Sequence, residues 1–231
     1  MISYIILIIL AAFLVYLYTR FRPAPTGKVK ENLYAVRSVF VNFYILKTSA
    51  GLVLFDTGMS PGAAAGGLKK LGLDSGAVKY IFLTHTDYDH AGGVSAFPKA
   101  GLYLSKAEEP MIDGTKARRG VIHNRRISGY HTLAGNETVT VGNTKIQMIL
   151  TPGHTAGSAA YLIDNDTLVS GDLLRITRKG AVSPFLRLMN MDHKQNVESV
   201  KAAKPILDKA DYILTAHTGF ISRGEGSRHS S

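Results

Sequence analysis

Thr84-His85-Thr86-Asp87-Tyr88-Asp89-His90 constrains this chain more than any other stretch. Four groups able to ligate a metal fall within six residues, after the apolar β-like run Tyr80-Ile81-Phe82-Leu83 and before Ala91-Gly92-Gly93. Imidazole and carboxylate are the donors that Zn²⁺ and other divalent ions take in open, reactive sites. On a strand, His85, Asp87 and Asp89 share one face, because side chains alternate. A turn at Asp89-His90 then aims His90 toward a second ion, and the two glycines let the backbone pass close. A lone heptad of this kind carries little weight. What accompanies it elsewhere decides.

The pattern resembles the His-x-His-x-Asp-His motif of the metallo-β-lactamase superfamily, with Asp87 where that family usually has its second His. Thr151-Pro152-Gly153-His154-Thr155-Ala156-Gly157-Ser158 resembles the family's Pro-Gly-His-Thr-x-Gly-Ser loop. Ser170-Gly171-Asp172 resembles its Gly-Asp turn, and Thr215-Ala216-His217-Thr218-Gly219 its final His loop, usually Gly-His-Gly. Asp56-Thr57-Gly58, after an apolar strand, matches a further signature. The elements follow the family's order over residues 33 to 220.

The resemblance implies an α/β fold over residues 32–221, a four-layer αββα sandwich of two mixed sheets. It implies one metal held by His85, Asp87 and His154, a second held by Asp89, His90 and His217, and Asp172 bridging the two. Asp89 is then also the candidate catalytic residue, orienting a metal-bound hydroxide or handling its proton. Asp56, by itself an ordinary turn residue, is implied as a carboxylate that steadies the ligand loop. An isolated His is usually a plain core or surface residue. His85, His90, His154 and His217 each sit in a matching loop; His123, His131, His193 and His229 do not, and are read as ordinary.

Residues 2 to 18 contain no charge, no Pro and no Gly. As a helix they span roughly 26 Å, enough to cross a bilayer core with snorkelling flanks. Tyr16 and Tyr18 sit as interfacial anchors. A signal peptide fits less well, since no Lys or Arg precedes the run and no small-x-small cleavage site follows it. A core helix fits less well too, because a helix apolar all round is hard to cover in one small domain. Residues 1–20 are therefore read as an N-terminal transmembrane helix, a single-pass anchor in the cell membrane. Residues 21–31, with Pro23, Pro25 and Gly27, read as a linker, and residues 222–231 as a disordered tail. Arg20, Arg22, Lys28 and Lys30 follow the run and no charged side chain precedes it, which puts the domain on the cytoplasmic side.

The chain has no Cys, which excludes disulfides and thiolate nucleophiles or ligands. A formal charge of +10 suits an anionic leaflet, a nucleic acid or an anionic substrate alike. Long nucleic-acid domains and nucleotide-binding glycine motifs are missing, which makes nucleic acid the weaker partner.

Along the chain, Leu33–Ser38, Val39–Lys47 and Leu52–Phe55 read as strands. Pro61 opens a helix closed by Gly72, and Ser105 with Glu108 reads as a capping box. Asp113 to Gly135, with Lys116, Arg118, Arg119, Arg125 and Arg126, reads as a solvated basic loop, with a substrate or membrane contact as the functional alternative. Hairpins are expected around Gly142-Asn143 and across Asp164-Asn165-Asp166, delivering His154 and Asp172 at their exits. Phe185-Leu186-Arg187-Leu188-Met189 is a lid, a lipid contact or core. Asp192 caps a helix running to about Lys204.

Two divalent ions are expected, Zn first, with Fe or Mn admitted by the hard oxygen of Asp87. The chemistry is hydrolysis of an ester, lactone, thioester, amide or phosphodiester, on a small molecule that is anionic or lipid-like. A diiron redox protein lacking its flavin domain and a non-catalytic metal-binding module of the same fold are the alternatives.

Overall fold

The computed structural model of the chain describes residues 2–118 and 120–223. Two mixed sheets face each other. The first runs in chain order: β1 (Gly27–Lys30), β2 (Leu33–Ser38), β3 (Val41–Thr48), β4 (Gly51–Phe55), β5 (Val78–Phe82), β6 (Gly101–Ser105) and β7 (Tyr130–Leu133). Its first four strands are antiparallel, and β4 to β7 are parallel. The second sheet is built from β8 (Thr138–Val141), β9 (Thr144–Leu150), β10 (Ala159–Ile163) and β11 (Thr167–Val169), continued by β14 (Tyr212–Thr215) and β15 (Gly219–Ser222). Only β11 and β14 pair in parallel there. A separate hairpin, β12 (Leu174–Ile176) and β13 (Val182–Pro184), lies between them in sequence.

Among the described residues there are six α-helices: α1 (Ile2–Arg20), α2 (Pro61–Lys70), α3 (Tyr88–Ala91), α4 (Glu109–Ile112), α5 (His193–Ala202) and α6 (Lys204–Lys209). Alternation along the strands explains the layers. Val53 and Phe55 point into the core between the sheets, with Tyr161, Met148 and Leu214 opposite. Leu52 and Leu54 point outward onto Ala64 and Leu68 of α2. On the far side, Leu162, Leu168 and Ile213 meet Ala203, Leu207 and Ala210 around α5 and α6. The αββα order follows from strands that are apolar on both faces.

Two buried tyrosines tie the sheets together. Tyr44 of β3 donates to the Thr215 carbonyl at the end of β14, and Tyr161 of β10 donates to the Leu83 carbonyl just past β5, both at 2.8 Å. Each bond clamps a strand end from which ligands emerge.

Four expectations need correction. The motif is not strand-borne: β5 ends at Phe82, and His85 to His90 occupy a loop and the one-turn helix α3. The stretch 21–31, expected as a linker, contains β1 and the buried Phe21. Glu108 does not complete a capping box; Ser105 caps Ala107, and the Glu108 carboxylate turns into the core. Ser222 closes β15, so the tail expected from that residue onward falls, beyond Arg223, outside the described residues. His229 lies there too.

Of residues 1–20, expected as a transmembrane anchor, Ile2–Arg20 form the helix α1, whose Tyr4, Ile6, Leu7, Ile8, Leu14 and Val15 are exposed. Among the described residues no helix is long and apolar enough to cross a membrane. The side chains at positions 2, 3, 5, 9, 10 and 13 of α1 fall outside that description.

Candidate metal centre

Every ligand candidate emerges where a strand ends. His85, Asp87, Asp89 and His90 follow β5, His154 follows β9, Asp172 follows β11, and His217 follows β14. Parallel pairing aligns the ends of β4 and β5 in one sheet and of β11 and β14 in the other, so these loops share one rim. The motif folds tightly enough for this only because Gly93 has no side chain: a Cβ there would strike the Thr57 carbonyl.

All four histidines are held by Nδ1, leaving Nε2 for the centre. His90 Nδ1 donates to Asp56 Oδ2 at 2.8 Å, and His217 Nδ1 donates to the Phe40 carbonyl at 2.9 Å. His154 Nδ1 faces Asn190 Oδ1 at 3.2 Å, and His85 Nδ1 faces Thr84 Oγ1 at 3.1 Å. Since Thr84 Oγ1 itself donates to Asp56 Oδ2, one carboxylate orders two ligands. Asp56 reaches this position from a left-handed backbone, φ 62°.

The donor atoms sit at metal-site separations. His217 Nε2 stands 3.4 Å from Asp89 Oδ2 and 3.3 Å from Asp172 Oδ1; His90 Nε2 is 3.7 Å from each of those oxygens. On the other side, Asp87 Oδ2 lies 3.4 Å from His85 Nε2 and 3.3 Å from His154 Nε2, which is 3.2 Å from Asp172 Oδ2. Ligands about 2.0–2.1 Å from a tetrahedral ion stand about 3.3 Å apart. His85 Nε2, His90 Nε2 and Asp172 Oδ1 are buried without a hydrogen-bond partner. Native interiors rarely tolerate that, and a cation between the donors satisfies them. The residues fit a divalent ion.

Charge reinforces the arrangement. Burial opposes ionisation of Asp172, but His217, His154 and His90 outweigh it and hold the carboxyl low. Burial likewise opposes a charged His90, yet Asp56, Asp89 and Asp172 raise it to about 10. His85 is pushed down by burial and by the neighbouring His90. Anionic carboxylates around imidazoles form an electrostatic well for a cation.

Two residues at the centre were not among the expected ligands. Glu108 Oε1 accepts from Thr86 N and Oγ1 at 2.9 and 2.8 Å, and its Oε2 accepts from Thr155 Oγ1 and Gly157 N at 2.6 and 3.1 Å. It fastens the His85 loop to the His154 loop. Arg118, from the stretch expected to be solvated, lies over Asp87 with its Nη2 reaching both Asp87 Oδ2 and His154 Nε2. The paired opposite charges of Arg118 and Asp87 were visible in the sequence only as separate residues. An aromatic wall closes the other side: Phe21, Phe40 and Phe185 all stack near His217. Phe185 and Leu186 are thus core, while Leu188 of the same segment is exposed. His123, His131 and His193 stand outside the donor groups.

The family model described as "Metallo-beta-lactamase superfamily" matches residues 36–217. The uncharacterized protein YobT of Bacillus subtilis (strain 168) is 26% identical over 210 residues, 81% of this chain and 87% of that protein. The probable polyketide biosynthesis zinc-dependent hydrolase PksB, also of Bacillus subtilis (strain 168), is 36% identical over 98 residues, covering 41% of this chain and 38% of PksB. The hydroxyacylglutathione hydrolase of Salmonella typhi is 27% identical over 175 residues, 67% of this chain and 63% of that enzyme. Among solved structures, BJP-1, a subclass B3 metallo-beta-lactamase of Bradyrhizobium japonicum, superposes with a TM-score of 0.67 at 24% identity, over 85% of this chain and 79% of that one.

Proposed function

The chain belongs to the metallo-β-lactamase superfamily, and from that premise we propose that it is a metal-dependent hydrolase of a small ester, lactone, thioester, amide or phosphodiester. The observation that carries this reading is the set of buried ligand atoms, His85 Nε2, His90 Nε2 and Asp172 Oδ1, which converge within ion-pair reach of other donors yet make no hydrogen bond. His85, Asp87 and His154 form one donor group, Asp89, His90 and His217 another, and Asp172 lies between. Zn²⁺ suits both, and Fe²⁺ or Mn²⁺ gains from the carboxylate at position 87. When bound, such ions acidify water and polarise a carbonyl or phosphoryl oxygen.

The remaining roles belong to this chain's own groups. Asp89, with a side chain 21% exposed, stands at the open side where it can take up or release a proton. Asp56 and Glu108 hold the loops rigid, so the donors do not reorganise during reaction. The half-buried Phe40, stacked near His217, offers an apolar edge beside the donors, in line with a lipid-like small molecule rather than nucleic acid.

A membrane location belongs to the same proposal. The exposed apolar side chains of α1 suit a bilayer, and Arg20, Arg22, Arg175, Arg178 and Lys179 line a cavity of about 590 Å³ at its foot. Such a basic collar matches anionic headgroups on the cytoplasmic side.

The test is a panel of activated esters, lactones, thioesters and phosphodiesters, run with metal-loaded protein and after chelation. Turnover that chelation abolishes and metal restores is the expected result. A diiron form that consumes oxygen or nitric oxide with an electron donor, and hydrolyses nothing on the panel, would replace this reading with the redox one.

A further inference from the structure

Resting on the metallo-hydrolase reading, we propose that Arg118 is a built-in cation at the first donor group. The chain then holds one ion firmly among Asp89, His90, Asp172 and His217, and admits a second only when Arg118 leaves Asp87.

The contact is a fork. Arg118 Nε donates to Asp87 Oδ1 at 2.9 Å while Nη2 engages Asp87 Oδ2, so both carboxylate oxygens are taken. The same Nη2 stands against His154 Nε2, the second donor of that group. Nη1 donates to the Met189 carbonyl at 2.7 Å, which fixes the guanidinium plane. Asn124 Nδ2 adds a bond to Asp87 Oδ1 at 3.2 Å and one to Thr86 Oγ1 at 2.9 Å. Asp87 is free to point this way because, although it is the N-cap of α3, its side chain makes no capping bond.

Burial gives the fork its weight. The Arg118 and Asp87 side chains are only 15% and 14% exposed. Planar guanidinium–carboxylate pairs shielded from water are among the stronger polar contacts. A divalent ion entering among His85, Asp87 and His154 has to displace a cation already held by four acceptor atoms. The other donor group has no such occupant: among the described residues no Lys or Arg pairs with Asp89 or Asp172, and His90 Nε2 is unpartnered.

This also accounts for the acid at position 87. A carboxylate accepts two parallel N–H bonds, whereas a neutral imidazole offers one lone pair and cannot accept the fork. Among the described residues the segment carrying Arg118 belongs to no sheet; the Arg118–Ile122 bridge and turn bonds such as Lys116 N–H to the Pro110 carbonyl hold it, so it can withdraw without unravelling a sheet.

Metal-free protein titrated with Zn²⁺ against a chromophoric chelator, and separately with Co²⁺ followed by its d–d absorption, counts the equivalents directly. Wild type should take one tight equivalent, with a second at least about tenfold weaker. Arg118→Ala and Arg118→Gln should take two of similar affinity, with Arg118→Lys between, since an ammonium cannot form the fork. Melting temperatures of the variants separate loss of folding from change of stoichiometry. Two equally tight equivalents in wild type, or one equivalent in both neutral variants, overturns the proposal. Wild type that takes no ion overturns the metallo-hydrolase reading itself, a distinct outcome.

Discussion

The ring of Phe21 lies flat on the imidazole of His217, with centroids 4.2 Å apart and planes 19° from parallel. The next residue, Arg22, donates its backbone N–H to the His217 carbonyl at 2.7 Å. The chain leaving α1 therefore braces a metal-ligand loop on its face and its backbone at once. Phe185 stacks on the same imidazole at 5.4 Å. The end of α1, through Tyr16, Leu17 and the following Phe21, and the donor cluster are parts of one packed unit.

Removing this brace should cost metal as well as stability. Phe21→Ala is expected to lower stability by about 3 kcal/mol, the lower range for a buried Phe, and to weaken binding at the Asp89, His90 and His217 donors. A chain starting at Thr19 should retain both properties, and one starting at Pro25 should lose both. Melting and Zn²⁺ titration of the three proteins check this. Unchanged affinity in the chain starting at Pro25 would show that Phe21 is only a spacer.

The sequence made the candidate donors legible because they lie in four short loops, each at the end of an apolar run. His154 and Asp172 could be placed at hairpin exits from local pattern alone, and Asp164 and Asn165 adopt the positive φ that such a turn needs. Phe21, Glu108 and Arg118 were not legible for three different reasons. Phe21 is one more apolar residue after a long apolar run. Glu108 has a ready local explanation, since Ser105-x-x-Glu108 spells a capping box, and only tertiary structure offers the carboxylate four better donors. Arg118 sits in a basic stretch whose composition predicts solvation; its partner Asp87 lies 31 residues away in sequence. Local pattern reports what a segment can form by itself, and these three act across segments.

Asp56 should control how well the donors are presented. Its Oδ1 accepts from Thr84 N at 2.7 Å, and its Oδ2 accepts from Thr84 Oγ1 and His90 Nδ1, both at 2.8 Å. Asp56→Asn removes the charge opposite His90 and turns one acceptor into a donor. A loss of about 10–100-fold in metal affinity is expected, the range for groups that orient ligating histidines. Competition titration against a chromophoric chelator measures it. Affinity within about twofold of wild type would mean that His90 is oriented by packing alone.

The basic collar gives a prediction that depends on salt. Arg175, Arg178 and Lys179 line the cavity beside Arg20 and Arg22. Each basic group near an anionic surface contributes about 1 kcal/mol. In a chain starting at Thr19, replacing Arg175, Arg178 and Lys179 with Gln should weaken binding to vesicles containing phosphatidylserine by about 100-fold at low salt, and high salt should abolish the difference. Binding that is equal with neutral vesicles, or unaffected by the three substitutions, would remove the collar from the membrane proposal.

Glu108 makes a pH signature that comparison with Glu108→Gln isolates from the raised histidines of the centre. Its side chain is fully buried, and burial raises its pKa above the ordinary 4.5, despite the nearby His85 and the bonds from Thr155 and Thr86. A carboxyl raised on folding binds its proton more tightly in the native state. Its contribution to stability is therefore complete below pH 4.5 and declines as pH climbs through the raised native value. Glu108→Gln has no proton to lose and lacks that decline. The variant also loses acceptors for two of the four donors, which costs about 1–3 kcal/mol for each one orphaned, independent of pH. Metal-free wild type should thus exceed Glu108→Gln in stability most at acid pH. The gap should narrow by up to about 1.4 kcal/mol per pH unit as pH rises, then level off once Glu108 is ionised in both states. Denaturant melts of the two metal-free proteins, from about pH 4 to 8, give the gap directly. A gap constant across that range would mean that the Thr86, Thr155 and Gly157 donors fully offset burial. A gap that widens with pH would mean that they lower the carboxyl, and that the clamp between the two ligand loops is strongest when charged.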